Sequence, residues 1–325
     1  MIGASPEHMF YWSRVAAMSD LVDLLALCRV KDVTWSFLAR EAQRPGGLEN
    51  LWAGRSSERS TDATESLELL RSARVELDGH RAWAQRMLSE LAAESVRITS
   101  VLDEDYPANL RVVYNLPPFL TYRGSLQDDD ARSVAVVGTR DATAEGISRA
   151  ARLASALTEA GVTVLSGLAR GIDTAAHTAT LEAGGRTIAV MGTGIRTIYP
   201  RENAELTARI VERGALVSQF WPDTPPRTDT FPRRNVVTSG MSQGTVVVEA
   251  SPTSGAKMQA RLALQHGKRV FLLSSLVRER DWARQYLDRG AIEVSDVADI
   301  LQRLQTPQAV QARSDMRRQL TMSLG

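Results

Sequence analysis

The sequence has few of the residues and runs that mark secreted and membrane proteins. Its 325 residues include one cysteine, Cys28, which lies in an apolar helical segment and is interpreted as a buried core thiol. No run approaches the roughly 18 apolar residues of a membrane span. The N-terminus lacks a basic start followed by an apolar stretch, so no signal peptide is expected either. These absences predict a cytoplasmic protein with no membrane partner.

The chain also has few lysines and almost no excess of positive or negative charge. The formal net charge is +1, and lysine occurs only as Lys31, Lys257 and Lys268, so the basic residues are nearly all arginine. Because the chain has no global basic field, any binding of nucleic acid must come from a local patch. The hydrophobic content of 43% is ordinary for a globular protein, and the length suits a main domain with an appendage.

The apolar pattern divides the chain into three parts. Residues 1–95 carry apolar residues at helical spacing and predict a helical N-terminal domain. Residues 96–304 begin with two short extended runs punctuated by proline, and then alternate strand-like runs near positions 134, 162, 187, 215, 245 and 269 with helical periods. This alternation predicts an α/β fold with a doubly wound, mostly parallel, Rossmann-like sheet that binds its ligand at the strand ends. Residues 305–325 have few apolar positions and predict a loosely ordered tail.

The first candidate binding segment is the end of the strand at residues 134–137. Gly138 and Thr139 follow it, and the glycine permits a ligand to approach the backbone closely. The guanidinium of Arg140 is a candidate for two hydrogen bonds to a phosphate. The full GxGxxG fingerprint is absent, which disfavours an NAD enzyme. A plain strand-to-helix turn explains this segment equally well.

The next strand end is more specific. Residues Ser166–Gly171 bracket Arg170 with two glycines, and the following helix directs its N-terminus at whatever Arg170 contacts. Asp173 is explained as a helix N-cap. His177 is explained as a satisfied helix-face residue, because no second His or Cys stands at metal-ligand spacing from it. We therefore favour a binding role for Arg170 and Gly171 and predict no metal.

Three later features complete the candidate set. Phe231 stands close to Arg234 and Asn235, and this aromatic and basic mixture suits single-stranded nucleic acid, although a solvated charged turn is the usual origin of such a cluster. Glu249 ends another strand, where it is a candidate ribose or base contact or else a satisfied strand-end carboxylate. Residues 253–255, ThrSerGly, open a helix whose N-terminus suits an anion or is a plain cap.

In this order, these segments resemble the DNA-processing protein A (DprA, also Smf) family. The resemblance covers about residues 95–304 and rests above all on SerGlyLeuAlaArgGlyIleAsp and PheProArgArgAsn. It implies an extended Rossmann fold without a dinucleotide or other cofactor. It also implies a homodimer that binds single-stranded DNA and helps to load a RecA-type recombinase during natural transformation. The implied phosphate pocket consists of Gly138, Thr139, Arg140, Ser166, Gly167, Arg170, Gly171, Arg234, Asn235, Ser254 and Gly255.

The sequence departs from the family pattern at several positions. Thr139 stands where the family usually has serine, which keeps the hydroxyl, and Val236 stands where it has arginine, which would remove one phosphate contact. Residues 256–260 read AlaLysMetGlnAla in place of a Ser-Leu-Ile-Thr-Ala type of run, and Lys257 would restore a positive charge. LeuSerSer at 273–275 replaces a Pro-Gly pair. No winged-helix module is expected after residue 304.

Three functions are consistent with these patterns. The first is a non-enzymatic mediator that binds single-stranded DNA, because no set of nucleophile, base and orienting group stands out. The second is a nucleotide-processing enzyme: GlyThrValValValGluAla resembles the GlyThr and Glu of nucleoside-monophosphate phosphoribohydrolases, in which the Glu, here Glu249, holds the ribose. The Pro-Gly-Gly run that precedes it there is missing. The third is a DprA-like component of a defence or mobile-element system, which gene neighbours would identify.

Overall fold

The computed structural model describes residues 18–323 of the chain, with side chains to residue 320. The described residues form two compact units. The first contains residues 18–106, 117–119 and 316–323, and the second contains residues 107–116 and 120–315. Among the described residues, no helix is long and apolar enough to cross a membrane. The extreme N-terminus, on which the signal-peptide prediction depends, lies outside them.

The first unit is mainly helical, as its apolar spacing predicts. Its helix α4 begins where Ser60 accepts a hydrogen bond of 3.2 Å from the N–H of Ala63, which pairs one of the free donors of the first turn. Cys28 is 2% exposed, so the prediction of a buried thiol is confirmed. The elements are α1 (residues 18–28), α2 (Trp35–Ala42), α3 (Gly47–Trp52), α4 (Thr61–Ser72), α5 (Leu77–Ala93) and the strand β1 (Arg97–Ser100).

The second unit is built on a mostly parallel sheet, which confirms the predicted α/β class. Its strands lie in the order β2-β6-β5-β4-β3-β7-β8-β9, and each neighbouring pair is parallel except β2 with β6. The strands are β2 (Phe119–Gly124), β3 (Ser133–Val137), β4 (Thr163–Ser166), β5 (Thr187–Val190), β6 (Ala215–Ser218), β7 (Gly244–Val247), β8 (Arg269–Leu273) and β9 (Ile292–Val294). The chain order reverses between β3 and β7, which is where a doubly wound sheet binds its ligand.

Helices accompany the strands along the second unit. The apolar runs of the central strands supply the core, in which Val134, Val164, Val246 and Phe271 are each 0% exposed. The helices are α6 (Ala108–Arg111), α7 (Ala144–Glu159), α8 (Ile172–Glu182), α9 (Ala204–Arg213), α10 (Thr230–Met241), α11 (Gly255–Gln265), α12 (Ser274–Glu279), α13 (Asp281–Leu287), α14 (Val297–Leu301) and α15 (Pro307–Ser323), of which residues 316–323 belong to the first unit.

The last helix differs from the sequence-based expectation. Residues 305–325 predict a loosely ordered tail, whereas α15 makes residues 307–323 helical. Two residues one helical turn apart explain part of the difference, because Val310 is 1% exposed and Ser314 is 2% exposed. A short buried stripe of this kind is too narrow to stand out in the composition.

Candidate functional site

A cavity of about 350 Å³ lies at the carboxyl ends of β3, β4 and β7, where the chain order of the sheet reverses. Its walls come from the loops that follow these strands and from the first turns of α10 and α11. Gly138, Thr139 and Arg140 line it after β3, and Gly167 lines it after β4. Sequence motifs that lie far apart in the chain are therefore brought together in one place.

Arg234 of α10 lines the cavity although it is only 8% exposed. Its Nη1 donates to the carbonyl oxygens of Gly167 and Val190 over 2.5 and 2.7 Å, and its Nε donates to Asn235 Oδ1 over 3.2 Å. Among the described residues, its Nη2 has no hydrogen-bond partner. The guanidinium is thus held rigidly by the backbone while one nitrogen remains for a ligand.

Gly167 is the residue that makes room for this arginine. A Cβ at position 167 would lie 2.0 Å from Nη1 of Arg234 and 2.4 Å from its Cζ. Its backbone does not have positive φ, so the glycine is needed for space and not for conformation. The contact between Gly167 and Arg234, which are 67 positions apart, explains both the glycine that follows β4 and the arginine of α10.

Asp173 is the buried counter-charge of this region. It is 5% exposed in the first turn of α8, and its Oδ2 accepts from the N–H of Gly167 over 3.1 Å and of Ala169 over 3.4 Å. Burial raises the pKa of this carboxyl, and the charge of Arg234 acts in the opposite direction. Asp173 is not the N-cap of α8, a position that Gly171 occupies. Two N–H groups expected to face an anion are therefore paired within the chain.

Other residues of the predicted pocket have structural partners instead. The Ser166 hydroxyl is fully buried and donates to the carbonyl of Val136 over 2.6 Å. Gly171 has a φ of 71°, and a Cβ there would lie 2.5 Å from the carbonyl oxygen of Arg140. The N–H of Thr139 donates to the carbonyl of Glu249 over 2.8 Å. These contacts hold the strand-end loops against one another and leave side chains to supply the binding groups.

Arg170 is not brought to the cavity. It is 64% exposed and forms a two-point ion pair with Glu202, in which Nη2 and Oε2 are 2.9 Å apart. This carboxylate raises the pKa of Arg170. Arg170 is absent from the residues that line the cavity and lies instead beside Gly171 and Glu202 in a separate groove.

An aromatic and basic cluster stands at the mouth of the cavity. The guanidinium carbon of Arg140 lies 5.2 Å from the centroid of the Phe231 ring, and the Tyr199 ring centroid is 5.6 Å from that of Phe231. Gly192 permits this packing, because a Cβ there would lie 2.5 Å from Phe231 Cδ1. Arg140 and Tyr199 are exposed, so a cation and a ring are both presented to solvent.

The N-terminus of α11 forms another wall. Ser254 caps the helix by accepting from the N–H of Lys257 over 3.3 Å, and Ser254, Gly255 and Ala256 line the cavity. The first N–H groups of a helix have no partner within it and favour negative charge. Lys257 is not among the lining residues; its Nζ lies 5.8 Å from the centroid of the Trp282 ring. The expected positive charge at 257 therefore points toward α13.

Glu249 is engaged away from the cavity. Its Oε2 accepts from the Thr143 hydroxyl over 2.7 Å, and its Oε1 accepts from the Thr143 N–H over 3.2 Å. A Cβ at Gly146 would lie 1.9 Å from Oε2, so the carboxylate is packed against the first turn of α7. Glu249 is not one of the cavity-lining residues. This arrangement weighs against the ribose-binding role that the phosphoribohydrolase hypothesis requires.

His177 is a core residue, as a structural role predicts, but it is not the fully satisfied residue that the sequence analysis expects. It is 0% exposed, its Nδ1 lies 2.7 Å from Thr187 Oγ1, and burial lowers its pKa to about 3. Its Nε2 has no hydrogen-bond partner in the described part of the chain. The described residues also contain no cluster of three or more His, Cys, Asp or Glu that could hold a metal ion.

Among the polar lining residues, sequence reasoning missed Asp141, Thr238, Ser251 and Gln259. Thr238 stands one turn after Arg234, and Ser251 follows β7, so each occupies a place that the neighbouring motifs could have indicated. Gln259 could have been identified in another way, because it lies in residues 256–260, where the sequence departs from the family pattern.

Comparison with known proteins gives one consistent result. A family model described as DNA recombination-mediator protein A matches residues 97–305. Protein Smf of Escherichia coli is 41% identical over 205 residues, which cover 62% of this chain and 55% of that protein. DNA processing protein DprA of Streptococcus pneumoniae is 35% identical over 204 residues, which cover 62% of this chain and 72% of that protein.

Solved structures agree with the sequence comparisons. The X-ray structure of DNA processing protein A from Streptococcus pneumoniae matches with a TM-score of 0.70 and 27% identity, over 87% of this chain and 98% of that one. A structure of DNA processing protein A from Helicobacter pylori, described as giving insight into its single-stranded DNA binding mode, matches with a TM-score of 0.56 and 25% identity. That match covers 63% of this chain and 94% of the other.

Proposed function

Because this chain belongs to the DNA recombination-mediator protein A family, we propose that it binds single-stranded DNA and acts as a recombination mediator rather than as an enzyme. The DNA backbone follows the carboxyl ends of β3, β4 and β7, with a phosphate at the cavity and a base beside Phe231. The Helicobacter pylori relative, which is named for its single-stranded DNA binding mode, supports this assignment.

The observation that carries the proposal is the state of Arg234. Arg234 is only 8% exposed, and its guanidinium is fixed by two carbonyl oxygens and left with a free Nη2, so it is preorganised for an oxyanion. The N-terminus of α11 faces the same cavity and adds uncompensated N–H groups. One phosphate group satisfies both features together.

Arg140 and Phe231 extend this site toward a polymer. Exposed cations neutralise further phosphates, and an accessible ring stacks on a base of any identity. A free mononucleotide needs one phosphate position and one base position, whereas a strand continues past the cavity mouth. The neighbouring exposed ring of Tyr199 supplies a second surface for such a continuation.

The two buried charged groups of the cavity favour binding over acid–base chemistry. Asp173 is held by two backbone N–H groups and the nearby charge of Arg234, and Arg234 by two carbonyl groups. Groups fixed in this way are poorly placed to exchange protons with a substrate. Glu249, the residue that a nucleotide hydrolase of related fold would use, is bound to Thr143.

The proposal also includes a cellular role for the protein. We assign the chain a role in protecting incoming DNA and in loading a RecA-type recombinase as a cytoplasmic homodimer during DNA uptake. Single-stranded DNA coated with the protein should then nucleate recombinase filaments faster than bare competitor strands, as measured by the DNA-dependent ATPase of the recombinase. Equal lag times with and without the protein would refute the loading role but not DNA binding.

The DNA-binding proposal is tested by fluorescence anisotropy with labelled oligo-dT and its duplex counterpart at several salt concentrations. We expect a preference for the single strand and an affinity that falls as salt rises. Arg234→Lys keeps the charge but not the planar fork, so it should weaken binding by about 10- to 150-fold, since a charge-assisted hydrogen bond is worth about 1.5–3 kcal/mol.

Arg209→Ala is the matched control for this variant. Arg209 is exposed on α9 and does not line the cavity, so its loss should leave the affinity unchanged. Unfolding of Arg234→Lys is monitored by circular dichroism, because this side chain also bonds the backbone. Wild-type affinity in a folded Arg234→Lys protein, or an equal loss in both variants, would exclude this cavity as the phosphate site.

A further inference from the structure

Gln259 is a buried amide at the cavity that nothing in the protein satisfies. It lies on α11, is 2% exposed, and is one of the residues that line the cavity. Neither its Nε2 nor its Oε1 has a hydrogen-bond partner among the described residues. A buried amide without partners costs stability, so such a group is expected to meet a ligand at a binding site.

The chemistry of the amide limits what that ligand is. Nε2 donates and Oε1 accepts, so a complete match must offer an acceptor and a donor side by side. A phosphodiester oxygen only accepts and would leave Oε1 unpaired. The edge of a nucleobase carries adjacent donors and acceptors, and glutamine pairs with such edges through two hydrogen bonds.

The position of Gln259 agrees with a base held next to a phosphate. Gly255, one turn before Gln259 on α11, brings the helix N-terminus to the cavity, and Arg234 and Thr238 reach it from α10. A volume of about 350 Å³ lies within the range of small-molecule sites and accommodates more than a phosphate group. Phosphate and base positions therefore fit into one cavity.

We propose that Gln259 reads the hydrogen-bonding edge of a nucleobase that enters the cavity, while Arg234 and the N-terminus of α11 hold the adjacent phosphate. This inference rests on the proposed binding of single-stranded DNA and adds a base-reading position to it. It separates two contributions of the base, which are stacking on Phe231 at the mouth of the cavity and hydrogen bonding to Gln259 within it.

The test compares oligo-dT with an oligomer in which difluorotoluene replaces thymine. The two bases have the same shape and stack alike, but the difluorotoluene edge lacks strong hydrogen-bonding groups. The wild-type protein should bind oligo-dT about tenfold more tightly, which corresponds to one good pair of hydrogen bonds. Gln259→Met, which keeps the length of the side chain and removes the amide, should bind both oligomers with the weaker affinity.

Two further measurements serve as controls for the role of the Gln259 amide. The dependence of affinity on salt should be the same in wild type and Gln259→Met, because no phosphate contact is removed. Gln259→Thr, which restores the residue type of the family pattern at this position, provides a second variant if the methionine protein unfolds. It should also lose the preference, because its hydroxyl cannot form the paired contact.

The outcomes separate this inference from the proposed function. If the wild-type protein binds oligo-dT but binds the isostere equally well, or if the variants keep the tenfold preference, the base-reading role is overturned and DNA binding stands. A uniform loss on both oligomers would show that Gln259 supports the structure or the backbone contact only. If the wild-type protein binds neither oligomer, both proposals fail.

Discussion

Replacing Arg140 by alanine should remove one phosphate contact and leave the fold intact. Arg140 is exposed, makes no ion pair within the described residues, and contacts the Phe231 ring at 5.2 Å. On a single strand, each neutralised phosphate contributes about 0.7 to the slope of log affinity against log salt. Losing one contact should therefore reduce that slope by about 0.7 and weaken binding roughly fivefold at about 0.1 M salt.

The assay is anisotropy of labelled oligo-dT at four or more salt concentrations, with Arg140→Lys as the charge-retaining variant. Arg140→Lys should recover the slope, although it binds phosphate without the planar fork. Arg209→Ala, at an exposed position outside the cavity, should reproduce the wild-type line. A slope unchanged in Arg140→Ala would refute the reasoning, since the affinity loss would then come from something other than charge.

Three further predictions follow from other parts of the structure. Phe231→Leu should lower the affinity for oligo-dT by about 1–3 kcal/mol without changing the salt slope, because stacking carries no charge; a changed slope would contradict this. Gly167→Ala, whose Cβ would lie 2.0 Å from Arg234 Nη1, should lower the free energy of unfolding in urea by about 1–3 kcal/mol and weaken DNA binding together with it. The pKa of His177 is lowered by burial to about 3, below its unfolded value, so its contribution to stability is complete above about pH 6.5 and is lost as the pH falls. Between pH 6 and 4, the free energy of unfolding of the wild type should therefore fall by about 1.4 kcal/mol per pH unit relative to that of His177→Gln. If the two free energies of unfolding change in parallel with pH, His177 is not buried in its neutral form.

The sheet could be predicted from the sequence because its strands are short and strongly patterned. β3 and β4 are apolar runs that end at Gly138 and at Ser166 with Gly167, and every residue of both strands is buried. The strand β9, with three residues, was not predicted, because Ile292–Val294 is too short to show an alternation. Local pattern thus identifies the elements whose apolar residues are contiguous in the chain.

The partners of charged side chains could not be predicted in the same way. Arg140 and Arg170 follow similar strand-end glycines, yet Arg170 pairs with Glu202, 32 positions away, and Arg140 remains available. Glu249 likewise meets Thr143 across 106 positions. Such contacts depend on the crossing of loops at one edge of the sheet, and no spacing rule along the chain contains that information.

The sequence-based expectation and the structure differ most in which groups of the site hold an anion. The sequence pattern favours a glycine-rich loop that offers its N–H groups, but the carboxylate of Asp173 already accepts from two of them. A second anion at those groups would meet the negative charge of Asp173. The phosphate is therefore better held by Arg234, whose Nη2 is free, and by the start of α11. This means that substitutions of the arginine side chain, and not of the loop backbone, should dominate the binding energy of this site.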